Sequence, residues 1–200
     1  MEKTTEEKIL CAAEKIFVKN GFDGTKMRDI ADEAGVNLAL INYYFGSKNA
    51  LFETVMTRAL IRFRDAMLGM VHDEATGLEE KLRLIVHGYS EMLEENPLLP
   101  SFVMSAFPDG EENFSRKFAV DDVFVGSSIQ RQLMERGLNE EQSEQFLVNM
   151  FSLLVGSILT APMTRIVLKK DSGQMKDFLA RRMNSLTALL EAMVEVQKNL

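Results

Sequence analysis

The 200 residues predict an all-α fold, and three observations carry that prediction. Apolar residues recur three and four positions apart along most of the chain, the period of a helix with one buried face. There are only four Pro, and β-branched runs are few. Near the N-terminus, Thr25 to Phe45 reads as a short helix, a glycine turn and a second short helix.

The elements follow in order. A capping box, Thr4 with Glu7 three residues later, opens the first helix. Its inward face is Ile9, Ala12, Ala13, Ile16 and Phe17, and Gly21 ends it. Thr25 caps a second helix with the apolar positions Met27, Ile30, Ala31 and Ala34. Gly35 stops that helix, because glycine adopts the left-handed C-cap conformation at little cost. Asn37 caps a third, Leu38 to Phe45, and Ser47 caps a fourth with the stripe Leu51, Phe52, Val55, Met56 and Ala59. The fourth runs to near Gly69, and the first hinge falls at His72 to Gly77.

Leu78, Leu82, Ile85, Tyr89 and Met92 or Leu93 place a helix that stops before Pro97. Ser101 to Phe107, between Pro100 and Pro108, is a short apolar turn or helix followed by a polar loop, Asp109 to Asn113. Phe114, Phe118 and Val120 through Arg136 form another helix with Gly137 as its C-cap. Asn139 and Gln142 form a capping box for the next, which is apolar around most of its circumference from Phe146 to Leu159. The last helix begins near Ser172 and carries Met175, Phe178, Leu179, Met183, Leu186, Leu190 and Met193.

This arrangement divides into a helix-turn-helix head over residues 1–50, a connecting helix over about 47–69, and a helical body over residues 70–200. A helix-turn-helix lays its second helix in the major groove of DNA. The net charge of −7 is unusual for such a function. It is unevenly placed, however: residues 1–68 are balanced, with ten bases and ten acids, and the acidic excess lies in residues 69–200. A neutral head binds DNA when its bases cluster on one face, here Lys26, Arg28 and Lys48.

Several classes are excluded or disfavoured. No Gly-rich phosphate loop or nucleophile-elbow motif appears, and nothing suggests an enzyme. His72 and His87 lack the partner spacing of a metal site, so neither metal nor cofactor is expected. The single Cys11 suits a reducing compartment, and the charged start MEKTTEEK lacks a signal-peptide apolar region, which points to the cytoplasm. No membrane span is expected, because the apolar stretch Phe146 to Met163 is interrupted by Asn149, two Ser, Gly156 and Thr160.

One stretch carries a more specific signal. Thr25 to Ala34 reads T-x-x-x-I-A-x-x-A, then Gly35-Val36, then Ile41-Asn42-Tyr43-Tyr44-Phe45-Gly46-Ser47-Lys48 with Leu51. With Ile9 to Phe22 upstream, this resembles the DNA-binding domain of the TetR family of bacterial transcriptional regulators. The match covers about the first quarter of the chain. The resemblance implies a three-helix head, a larger ligand-binding and dimerisation domain, and helix 3 in the groove.

The candidate DNA-binding residues are Thr25, Lys26, Arg28, Asn37, Leu38, Ala39, Asn42, Tyr43 and Lys48. Thr25, Lys26 and Lys48 stand at helix starts, where amides and a positive charge hold a phosphate. Asn37, Leu38 and Ala39 stand at the groove-entering end, where apolar side chains suit thymine methyls. Many family members have Tyr at the position of Asn42, so Tyr43 takes over as the first phosphate donor.

A helix that is apolar all round is buried on all sides, either as the core helix of a single chain or, near the surface of a small chain, against a second copy, the reading favoured here. The resemblance points the same way, to a homodimer built from the last two long helices. The interface set is Phe146, Met150, Leu154, Gly156, Ser157, Ile158, Phe178, Leu186 and Leu190. The resemblance also implies an effector cavity, with Met67, Met92, Phe102, Met104, Phe107, Phe118, Phe124, Phe151 and Met163 as candidate lining. The expected function is a dimeric repressor of a palindromic double-stranded operator, released by a small apolar or amphipathic effector of unknown identity. The alternative is a constitutive DNA-bound factor that recruits a protein partner.

Overall fold

The computed structural model describes residues 4–105, 112, 115 and 123–199. Among these residues it is entirely helical: α1 (Thr5–Gly24), α2 (Met27–Ala34), α3 (Leu38–Phe45), α4 (Lys48–His72), α5 (Leu78–Glu95), α6 (Leu99–Ser105), α7 (Ser128–Glu135), α8 (Glu140–Leu159), α9 (Ala161–Val167) and α10 (Ser172–Gln197). The pocket candidates Phe107 and Phe118, and most of the loop at 109–113, lie outside the described residues.

The chain forms two compact units, Met1–Phe63 with Glu95–Ala119, and Arg64–Glu94 with Val120–Leu200. The division differs from the head and body read from the sequence in one respect. Residues 95–119 belong with the N-terminal unit, and α4 passes through the division. Two contacts explain this. Asn96 donates to the Glu14 carboxylate at 3.1 Å, and the Phe102 ring meets Phe52 edge-on at 5.9 Å.

In the first unit the predicted face of α1 is the core. Ile9, Ala12, Ala13, Ile16 and Phe17 are buried, with Ile30 and Ala31 of α2, Ile41 of α3, and Leu51, Val55, Met56 and Ala59 of α4. Phe17 and Phe22 each lie 5.0 Å from Phe52, which extends an aromatic cluster through to Phe102. The Thr4–Glu7 capping box is present. Gly21 breaks the helical path with φ 70° and ψ 174°, a conformation that a side chain would strain.

In the second unit the C-terminal helices α8 and α10 pack together. Asn139 and Gln142 close the capping box of α8, and Asp171 and Gln174 close a matching one on α10. The helix expected from Val120 through Arg136 is shorter. Residues 123–127 form a turn with Gly126 at φ 66°, and the Ser127 hydroxyl caps α7. Gly137 follows α7 with φ 100°, as its place after the helix predicts. The apolar helix ends where the sequence places it, and the chain then bends. α8 stops at Leu159, and α9 begins after a bend of 63°. Pro162 has no N–H to donate back to Ile158, so the ladder fails there. Ser101 to Phe107 was expected as a segment starting after Pro100; instead α6 starts at Leu99 and takes Pro100 into its first turn, where proline is tolerated.

Among the described residues no single helix is long and apolar enough to cross a membrane. None of their His, Cys, Asp and Glu side chains cluster to hold a metal ion.

Candidate nucleic-acid interface

The turn between α2 and α3 is built by backbone geometry. Gly35 sits in the left-handed region, φ 66° and ψ 34°, and its N–H donates to the carbonyls of Ala31 and Asp32. The Val36 N–H also donates to the Ala31 carbonyl, at 3.0 Å. Asn37 then caps α3: its side-chain oxygen accepts from the Leu40 N–H at 2.9 Å. Its N-cap role agrees with the sequence reading, and the carboxamide NH₂ remains outward on an exposed residue.

α3 is anchored in the core by Ile41 alone, while Leu38 and Leu40 are half-buried. That leaves Asn37, Ala39, Asn42, Tyr43 and Tyr44 exposed. Tyr43 is 82% exposed, far beyond what a tyrosine in a packed core shows. Its ring stands edge-on to Tyr44 at 5.4 Å. The Tyr44 and Phe45 rings are 6.2 Å apart, yet Tyr44 is itself 44% exposed and shares the outward face. Side-chain direction around a short helix decides this, which local spacing alone does not reveal.

Lys26 and Arg28 are exposed at the start of α2. Thr25 departs from expectation. The N-cap of α2 is Lys26, without a side-chain cap bond, and Thr25 is buried. The Thr25 hydroxyl donates to the Gly21 carbonyl at 2.7 Å, at the kink near the end of α1. It therefore closes the α1–α2 turn from within. Lys48 also departs from expectation: its Nζ donates to the carbonyls of Phe22 at 2.8 Å and Thr25 at 3.0 Å. Neither role is readable from the motif: that of Thr25 depends on the kink in α1, and that of Lys48 on how the end of α1 meets α4.

The described effector candidates are divided between the two units. Phe102 belongs to the aromatic cluster of the first unit. Met104 is exposed, and Phe151 and Met163 are 53% and 65% exposed. In the second unit Met67 is buried, and Met92 and Phe124 are half-buried. Two surface hollows are formed by other residues, one by Asn139, Glu140, Glu141 and Glu144, the other by Ala50, Glu53, Thr54, Thr57 and Arg58. Apolar residue type fits a core or an outer face equally well and does not by itself mark a cavity.

Much of the interface set is buried within the single chain: Phe146, Met150, Leu154, Ser157, Leu186 and Leu190. Ser157 receives a hydrogen bond from the Arg182 Nε at 2.7 Å. Gly156, Ile158 and Phe178 are half-buried. The apolar residues left outward on these helices are others: Val148, Phe151 and Leu159 on α8, and Leu189 and Val196 on α10. The sequence run was apolar on every side of α8, and only packing shows which side the chain covers for itself.

A short helix carried on a three-helix core, with a polar and aromatic outward face after a left-handed glycine turn, defines a helix-turn-helix DNA-binding protein. Residues 9–55 match the family model described as bacterial regulatory proteins, tetR family. The chain is 25% identical over 179 residues to the probable HTH-type transcriptional regulator YttP of Bacillus subtilis, covering 90% of this chain and 79% of that one. It is 41% identical over 90 residues to the HTH-type transcriptional regulator BetI of Agrobacterium fabrum, covering 44% of this chain and 42% of BetI. A crystal structure of a putative transcriptional regulator from Rhodococcus sp. RHA1 shares the fold, with a TM-score of 0.64 at 17% identity, covering 98% of this chain and all of that one. Residues 9–55 thus carry a DNA-binding domain of the tetR family of bacterial regulatory proteins, and the chain as a whole shares the fold of solved transcriptional regulators.

Proposed function

We propose that this regulator is a homodimeric repressor that binds a palindromic operator and is released by a small apolar or amphipathic molecule. The observation that carries the DNA reading is the outward face of α3, where Asn37, Ala39, Asn42 and Tyr43 are exposed around the single anchor Ile41. Asn37, Ala39 and the half-buried Leu38 stand at the end that enters the groove and read base edges and methyl groups. Tyr43, Asn42, Lys26 and Arg28 fix the register through phosphates.

The dimer reading rests on a stripe that the chain does not cover. Val148, Phe151, Val155 and Leu159 follow one another three and four residues apart on α8, and all but the half-buried Val155 are exposed. Leu189 and Val196, two turns apart on α10, are exposed as well. A second copy related by two-fold symmetry buries such a stripe against itself, and symmetry in the protein requires symmetry in the site.

Support for ligand response comes from the packing of α4 on α5. At Gly88 a Cβ would lie 2.9 Å from the Met67 Cε and 3.5 Å from the Met70 Cε, so two flexible thioethers fill the space that glycine leaves. Such side chains can move aside for an apolar ligand at little cost. The shift in DNA affinity equals the ligand's differential affinity for the two forms of the protein.

Selection from random duplexes, followed by ligand screening for release, tests both halves. An inverted repeat is the expected product. Enrichment of an asymmetric site overturns the dimeric reading, and a ligand that binds tightly without changing operator affinity overturns the switch.

A further inference from the structure

We infer that Lys48 is a positioning residue for DNA binding: its ammonium holds the turn between α1 and α2, and thereby sets where Lys26 and Arg28 stand. The inference rests on the DNA-binding reading above. Lys48 is the first residue of α4, where a cation faces the positive end of its own helix. No acidic side chain in the first turn of α4 offsets it.

The side chain turns back toward the end of α1 instead. Its Nζ donates to the Phe22 carbonyl at 2.8 Å and the Thr25 carbonyl at 3.0 Å, and lies 4.4 Å from the centre of the Phe22 ring. A helix end carries carbonyls without ladder partners and a partial negative charge, so the cation is well placed there. The ring face adds an attraction of the same sign.

The turn has two further closures. The Thr25 hydroxyl donates to Gly21, and the Thr25 N–H donates to the Phe22 carbonyl at 3.3 Å. Lys48 adds what those local bonds do not supply, a tie from the turn to α4. The next residue is Lys26, the uncapped N-cap of α2, and Arg28 is two residues on. With two of its three N–H groups committed, Lys48 acts on DNA through the turn rather than by giving its charge to a phosphate.

The test uses duplexes selected by the wild-type protein, a salt series, and hydrogen exchange on the free protein. Lys48→Met keeps the stem and removes the donors. In the free variant, amides at 22–29 exchange faster while those of α3 are unchanged. Affinity for the selected duplex falls about tenfold, yet the salt slope changes by much less than the ~0.9 units that one lost phosphate contact produces. Lys48→Arg restores most of the affinity, because a guanidinium also reaches two carbonyls. A full one-phosphate fall in slope with unchanged exchange overturns the inference, as does unchanged affinity.

Should Lys48→Met fail to fold, ammonium-detected NMR of the wild type decides. The same Nζ resonance in the free and duplex-bound protein supports the tie, and a coupling to phosphorus in the bound form overturns it. If the wild type selects no duplex, the DNA reading itself falls, while the exchange measurement still reads the tie.

Discussion

Lys81 and Ser128, 47 residues apart, are joined side chain to side chain in the second unit: the Lys81 ammonium donates to the Ser128 hydroxyl. Lys81 is fully buried and also donates to the Asp73 carbonyl at 2.6 Å. The Ser128 hydroxyl in turn lies 2.9 Å from the Val71 carbonyl and 2.7 Å from that of Asp73, and its single proton serves one of them. The end of α4, the following loop, α5 and α7 therefore meet at one point. The carbonyls that α4 leaves unpaired are the acceptors there.

This node predicts a pH dependence. Burial, the largest influence, lowers the Lys81 pKa from 10.5, against the opposing pull of Asp73 and Glu74, while Arg131 adds to the lowering. The unfolded chain therefore holds the proton to higher pH than the folded one, and Lys81 makes stability rise with pH between its folded pKa and 10.5. Urea titrations of wild type and Lys81→Met at pH 7 and pH 9.5 measure the difference. Wild type should gain on the variant at the higher pH, and a gain in the opposite direction refutes the account. Ser128→Ala removes one acceptor from a buried ammonium and should cost about 1–3 kcal/mol.

Asn37 has two separable roles. Asn37→Ala removes the cap on Leu40 and should cost about 1 kcal/mol of stability. Asn37→Ser keeps the cap, so stability should hold while base preference in the half-site changes. Selection from random duplexes with the serine variant reads the second effect; an unchanged site would reduce Asn37 to a cap.

The two apolar faces of the C-terminal helices should respond oppositely. Phe151→Glu, on the exposed stripe, should leave the fold intact and shift the protein from dimer to monomer. Leu190→Ala, in the core, should cost about 2–5 kcal/mol. Analytical ultracentrifugation with thermal melts separates the two, and a dimer unaffected by Phe151→Glu would place the interface elsewhere.

Phosphate positioning is separable from readout. Lys26→Ala should weaken binding to all duplexes alike and lower the salt slope by about one unit. Tyr43→Phe should weaken them alike with little change in slope, since the hydroxyl carries no charge. A change in the preferred sequence from either variant would reassign these residues to base reading.

Much of the fold was legible because it is local. Thr4, Asn37, Ser47 and Asn139 cap helices through bonds three residues away, and Gly35 and Gly137 need only their own backbone freedom. The helical stripe of α1 became the core of the head for the same reason: its period is a local property. Thr25 was misread as a cap because the choice between capping α2 and closing onto Gly21 depends on the kink at the end of α1.

By itself the sequence determined the helical class, the caps, the glycine turn and the family of the head, since each depends on residues within a few positions of one another. Tertiary structure decided which apolar residues are core and which are outward. Phe146, Phe102 and Phe151 are alike in type, yet one is buried in the second unit, one joins the aromatic cluster at Phe52, and one is exposed. It also decided that Lys48 and Lys81 turn inward to carbonyls. The hydrophobic effect is non-directional and assigns residues to the interior only through packing between distant segments. A buried cation likewise finds its acceptors only where distant helix ends are brought to it.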